Sequence, residues 1–269
     1  MAGVDVLIPT FGRPGALAVT LTCLAFQSYP GLRVVVSDQS DGAGVEAHPE
    51  VQAVARLLQL RGHHPEIHHH VPRRGVAENR NFLLAQARAP RVLFLDDDLL
   101  LDGDLVERLV TALDEERCGF VGSAVIGLSY LEDVRPDEQA IEFWEGPVMP
   151  ETVLPGSAAW ERHRLHNAAN IHHAAQRLGI DRSRGRKYRV AWVGGCVMYD
   201  SAALRAVGGF AFWPQLPTEH AGEDVLAQLR VMARFGGCGL IPSGAYHQEL
   251  PTTVIDRRFD APRRLPILD

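Results

Sequence analysis

The chain has 269 residues, of which 46% are hydrophobic and 22% charged, and a formal net charge of −6. That length lies at the top of the single-domain range and can bury a large core, and the composition is that of an ordinary globular protein. The acidic balance argues against a general nucleic-acid binder.

No apolar stretch reaches the length of a transmembrane helix. The segment from Met1 to Asp5 has no basic region followed by an apolar one, so a cytoplasmic protein without a signal peptide is expected. The four cysteines, Cys23, Cys118, Cys196 and Cys238, form no CxxC pair and read as reduced small hydrophobes.

In chain order, an apolar run at 4–8 reads as a strand ending at Pro9-Thr10. Pro14 suits a first helical turn, and Leu17, Leu21 and Leu24 give an apolar stripe. A second strand at 32–36 ends at Ser37-Asp38. A helix at about 49–60 follows, then a histidine-rich strand at 66–71. A helix at 77–88 leads into the strand Arg91-Val92-Leu93-Phe94-Leu95, which stops at Asp96-Asp97-Asp98. This alternation predicts an α/β fold with a mostly parallel central sheet and helices on both faces. Ligands then bind at the carboxyl ends of the strands, where Asp38, Asp41 and the aspartate triplet lie. Neither a GxGxxG nor a Walker sequence is present.

The remainder is less regular. Residues 127–190 hold acidic and Pro-rich stretches, a His/Arg-rich helix expected at about 157–178, and the basic run Arg182, Arg184, Arg186, Lys187 and Arg189. A strand is expected at 190–193, after which Gly194-Gly195 allow close backbone approach. Ser201 is placed to cap a short helix that stops at Gly208-Gly209. Glu223-Asp224 open a further helix with Val225, Leu229 and Met232 on its apolar stripe. With no internal repeat and no long linker, one domain is expected.

Three carboxylates at a strand end repel one another and cannot be buried bare. A divalent cation carrying a phosphate group would satisfy them, since Mg²⁺ and Mn²⁺ take oxygen ligands; a solvated loop or a helix cap is the plainer alternative. His63-His64 and His68-His69-His70 invite a metal reading. Strand neighbours point to opposite faces, however, so adjacent histidines share an ion poorly.

Several ordered motifs resemble family 2 glycosyltransferases of the GT-A fold. Val6-Leu7-Ile8-Pro9-Thr10-Phe11-Gly12-Arg13, Ser37-Asp38, Gly75-Val76-Ala77-Glu78-Asn79-Arg80-Asn81 and Leu95-Asp96-Asp97-Asp98 are similar to the nucleotide-sugar half. Gly208-Gly209-Phe210, Glu223-Asp224 and His247 are similar to the acceptor half. The resemblance implies a Rossmann-like nucleotide-sugar half at about 1–125, an acceptor half at about 126–250 and a tail at 251–269. It also implies metal-dependent, inverting transfer of a sugar from a nucleotide diphosphate to an acceptor hydroxyl. Uridine diphosphate is the default nucleotide on family grounds.

By the same resemblance, Pro9, Thr10, Phe11, Arg13, Asp38 and Arg80 belong to the nucleotide side. Asp38 would accept hydrogen bonds from the nucleoside, although it also suits a plain strand-end turn. Arg80 would sit near the diphosphate or the base, or be a surface cation. Asp96 would face the ribose and metal, Asp98 would ligate Mn²⁺ or Mg²⁺, and His247 would complete the metal shell. Asp97 falls within the nucleotide group but should point away and tolerate replacement best. Asp224 would be the base that takes the acceptor proton, with Glu223 orienting the acceptor. Acids in a first helical turn are also favoured by the macrodipole.

Trp192, Gly194, Gly195 and Trp213 are expected acceptor neighbours, because aromatic faces suit sugar rings; core packing is the alternative for both tryptophans. The acceptor itself, a glycan, a lipid-linked saccharide or a small molecule, is open. The run at 182–189 could meet an anionic head group at a membrane surface or an acceptor phosphate, or be a solvated loop. Arg257, Arg258, Arg263 and Arg264 could bring the tail over the diphosphate. Two other functions fit parts of the pattern. A sugar-phosphate nucleotidyltransferase would need a more basic, Gly-rich first loop, and a non-catalytic nucleotide-sugar binding module would not need Glu223-Asp224.

Overall fold

The hydrophobic runs of the first half pair as a parallel sheet. In the computed structural model, which describes residues 3–268 with the side chain of Arg184 excepted, β1 (Val4–Thr10) lies between β2 (Arg33–Asp38) and β4 (Arg91–Leu95), and β3 (His64–His69) extends the edge beyond β2, all parallel. The helices α1 (Pro14–Ala25), α2 (Pro49–Leu60) and α3 (Val76–Gln86) are the crossovers.

The period-two pleat sends successive side chains to opposite faces. Val6 and Ile8 of β1 join one core with Leu17, Leu21 and Leu58, whereas Leu7 joins a second with Leu83 and Phe94. A strand wanted on both faces must be apolar throughout, which is why β1 and β2 read as unbroken hydrophobic runs.

Beyond β4 the chain adds β5 (Leu99–Leu101), α4 (Leu105–Glu116), β6 (Phe120–Gly122) and β7 (Ile126–Gly127). It continues with α5 (Asn170–Leu178), β8 (Arg186–Tyr188), β9 (Cys196–Asp200), α6 (Ser201–Ala206), α7 (Glu223–Phe235), β10 (Gly237–Ile241), β11 (Ala245–His247) and α8 (Ala261–Arg264). The main sheet has eight strands in the order β3-β2-β1-β4-β9-β6-β10-β8, and β5-β11-β7 form a small second sheet. The antiparallel β9 joins the parallel first half to β6 and β10, so one sheet runs through both halves of the sequence.

Three expected elements differ. The segment at 190–193 is not a strand. The backbone N–H and C=O of Val193 are bonded by the Gln228 side chain at 2.8 and 2.7 Å, so a buried amide replaces the ladder. The expected helix at 157–178 is a 3-10 stretch, Ala158–His166, followed by α5, and the two are separated at Ala168, whose φ is +52°. The cap of α6 is Asp200, which accepts from Ala203 N at 2.7 Å; Ser201 is already the first helical residue.

All four cysteines are unbridged. Among the described residues no helix is long and apolar enough to cross a membrane. Arg182 pairs with Asp102 and Asp104, Arg186 with Glu145, Lys187 with Glu116 and Arg189 with Glu151, so much of the basic run is engaged within the protein. The Arg184 side chain lies outside the described residues.

Candidate active site

A cleft of about 580 Å³ opens at the carboxyl ends of β1, β2 and β4. Pro9, Thr10, Phe11 and Arg13 form one wall, Arg80 and the aspartate triplet the floor, and Glu223 and Asp224, at the start of α7, the opposite wall. Strand ends place these groups together because a parallel sheet delivers its loops to one edge.

The triplet is divided by its partners. Asp96 Oδ1 accepts from Arg80 Nη2 at 2.9 Å, and the Asp96 side chain remains 41% exposed to the cleft. Asp97 is buried: it accepts from Thr10 Oγ1 at 2.6 Å and lies 3.4 Å from Arg13 Nη1. Asp98 Oδ2 accepts from Arg13 Nη1 at 2.6 Å and lies 3.6 Å from His247 Nε2. Asp97 is therefore not the residue that points away. It anchors the first loop to the strand end, and burial, opposed by the Thr10 hydrogen bond, pushes its carboxyl up to about 6.

Close approach at Asp96 depends on Gly195, which has φ +77°. A Cβ there would lie 2.9 Å from Val125 Cγ2 and 3.3 Å from Asp96 Oδ2.

Arg80 is not a surface cation. It is 6% exposed and also donates through Nε to Glu223 Oε1 at 3.1 Å. Burial alone would lower its pKa, but Asp96, Glu223 and Asp224 outweigh that and hold it charged. Glu223 is raised above the usual carboxylate range by burial, with Arg80 opposing. Asp224 is pushed up to about 7, first by burial and then by the charge of Glu223, with Arg80 again opposing.

Asp96 and Asp98 supply carboxylate oxygens and His247 an imidazole nitrogen, donors that suit Mn²⁺ or Mg²⁺. Among the described residues no group of three such side chains is already gathered around one point. The electrostatics nevertheless favour a cation: burial and the neighbouring charge of Asp96 raise the Asp98 carboxyl above its ordinary range. The donor set fits a divalent ion, with Arg13 sharing the Asp98 carboxylate.

Asp38 does not line the cleft. It is 1% exposed, and its carboxylate accepts from the Ser40 and Val45 backbone amides at 2.8 and 2.6 Å and from the Ser40 hydroxyl. It folds the 40–45 loop, and the cleft position falls to the next residue, Gln39. Trp213 is also absent from the cleft, being packed against the core in a 3-10 turn. Trp192 and Gly194 do line it, Trp192 with its ring stacked on His163 at 5.0 Å. Gly195 faces the adjoining hollow that shares Asp96 and His247.

Sequence reasoning missed Gln39, Arg73, Asn79 and His220, which all line the cleft. Arg73 lies 4.1 Å over the Phe11 ring, and His220 Nε2 accepts from Ala77 N at 3.2 Å, capping α3. Asn79 sits inside a motif already noted; nothing in the pattern marked the other three. The tail does reach the site, with Thr252, Val254 and Arg257 on the cleft wall and Pro251 O accepting from Arg13 Nη2.

Residues 5–186 match the family described as Glycosyl transferase family 2. Among solved structures, Staphylococcus aureus TarS 1-349 in complex with UDP-GlcNAc superposes with a TM-score of 0.60 at 15% identity, over 94% of this chain and 60% of that one. TarS in a longer form gives 0.56 at 17% identity, over 91% of this chain and 36% of that one. A mannosyltransferase from Pyrobaculum calidifontis, PcManGT, in complex with GDP-Man and Mn²⁺, gives 0.54 at 19% identity, over 88% and 56%. The chain thus spans 36–60% of the length of these structures. At such identities the likeness speaks for the fold, an α/β arrangement of the GT-A glycosyltransferase type. With the match covering 5–186, this chain belongs to glycosyl transferase family 2.

Proposed function

We propose that the protein is a glycosyltransferase that moves a sugar from a nucleotide-diphospho donor, with UDP favoured, to an acceptor hydroxyl by inverting displacement. The observation that carries this reading is the convergence in one cleft of Asp96–Asp98, Arg80 and the Glu223-Asp224 pair. The UDP-GlcNAc complex of TarS and the GDP-Man complex of PcManGT support a donor of this class. The described chain works as one domain, with donor half, acceptor half and tail meeting at the cleft.

The nucleoside lies toward Phe11, Gln39 and Arg73, and the diphosphate toward Arg13 and the triplet. Asp96, Asp98 and His247 would hold Mn²⁺ or Mg²⁺, which when bound neutralises charge on the diphosphate leaving group. Arg13 and Arg257 add positive charge on the same side. Asp224 takes the proton of the acceptor hydroxyl as its oxygen bonds to the anomeric carbon and the bond to the diphosphate oxygen breaks. Its raised pKa suits a base working near neutral pH. Glu223 and Arg80 fix its surroundings, and Trp192 offers an aromatic face to the acceptor.

Incubating the protein with UDP-sugars and Mn²⁺, and separating the products, tests this. Released UDP supports transfer, with water as a slow acceptor. Released pyrophosphate would instead mark a nucleotidyltransferase, and binding without release a non-catalytic module.

A further inference from the structure

Gln39 is 2% exposed, yet it reaches the cleft wall beside Thr10 and Phe11. Its side-chain amide is not free to turn. Nε2 donates to Glu78 Oε2 at 2.7 Å, a carboxylate oxygen that accepts. Glu78 is itself held from behind, because His70 Nε2 lies 2.9 and 3.1 Å from its two oxygens. The His70 ring is pinned in turn by stacking on Phe82 at 3.9 Å. The sequence of fixed groups leaves one consequence at the cleft: the amide nitrogen faces Glu78, so the carbonyl oxygen is the group left to the ligand. Among the described residues no hydrogen bond to Gln39 Oε1 is formed.

We infer that Gln39, oriented by Glu78 and His70, reads the donor base as a hydrogen-bond acceptor and selects bases that present a ring imino N–H, uracil N3–H or guanine N1–H. Cytosine and adenine place a lone pair at the matching ring nitrogen. Acceptor would then face acceptor in a buried site, and neither would be satisfied. This inference rests on the nucleotide-sugar reading of the cleft and deepens it. Gln39 is the reading residue, and Glu78 and His70 are positioning residues.

The test is competition binding with two matched pairs of nucleotides, UDP against CDP and GDP against ADP, each with Mn²⁺. In whichever pair binds, the imino member should bind at least about 10-fold tighter. Gln39→Leu should bring that ratio close to one, chiefly by weakening the imino member. Glu78→Gln lets the Gln39 amide adopt either orientation, so the ratio should fall while the disfavoured member gains affinity. A merely structural defect would weaken both members alike. Equal binding within the pairs, preference for CDP or ADP, or an unchanged ratio in Gln39→Leu would overturn the inference while leaving a nucleotide site in place. If none of the four nucleotides binds, the donor-site reading falls and this inference with it.

Discussion

Arg80 and Glu223, 143 residues apart in sequence, meet in the interior at 3.1 Å. The same guanidinium reaches Asp96 at 2.9 Å, so one cation ties the donor-side triplet to the start of α7. The distance between the proposed leaving-group end and the proposed base is set by this clasp.

Replacing Arg80 by Met should therefore remove activity and stability together. Breaking a buried ion pair from one side leaves the carboxylates uncompensated and costs about 3–5 kcal/mol. Arg80→Lys should recover part of the stability but little turnover, because an ammonium lacks the planar fork that serves both partners. Urea unfolding midpoints and turnover of the same preparations check this.

Asp224 gives a pH signature. The base must be ionised, so kcat/KM should rise with pH through about 7, and Asp224→Asn should lose about 10²–10⁴-fold in rate with nucleotide affinity nearly unchanged. Stability runs in the opposite sense. The folded protein favours the neutral carboxyl, so the contribution of Asp224 is fully present below about pH 4 and declines as pH rises to about 7. Asp224→Asn should flatten that decline and melt above the parent at pH 8. Thermal melts from pH 5 to 8 read the difference.

Asp97 and Asp98 should fail differently. Asp97→Ala strips the buried Thr10 hydroxyl of its partner at 2.6 Å and should destabilise the fold by about 1–3 kcal/mol. Asp98→Asn keeps the shape and should lose the metal response instead. Melting points and Mn²⁺ dependence, measured side by side, separate the two.

Much of the fold is legible because β1, β2 and β4 are buried on both faces and must read as apolar runs. The triplet is legible because three adjacent carboxylates at a strand end repel one another and call for positive partners, two of which are Arg13 and Arg80. Asp38 and Gln39 mark the limit. Past the last pleated residue the alternation of faces lapses, and the turn geometry, with Asp38 folding the 40–45 loop, decides which neighbour enters the cleft. Val190 to Val193 look like a strand because apolar composition records burial, not whether a ladder or the Gln228 amide satisfies the backbone. Trp213 shows the same ambiguity, since a tryptophan serves a core as readily as a sugar face.

Calorimetric titration of UDP in the presence and absence of Mn²⁺ tests the donor site most directly. Saturable binding at one site per chain is expected, tightened by Mn²⁺, with the tightening lost in Asp98→Asn. Failure of both UDP and GDP to bind in the presence of Mn²⁺ would contradict it.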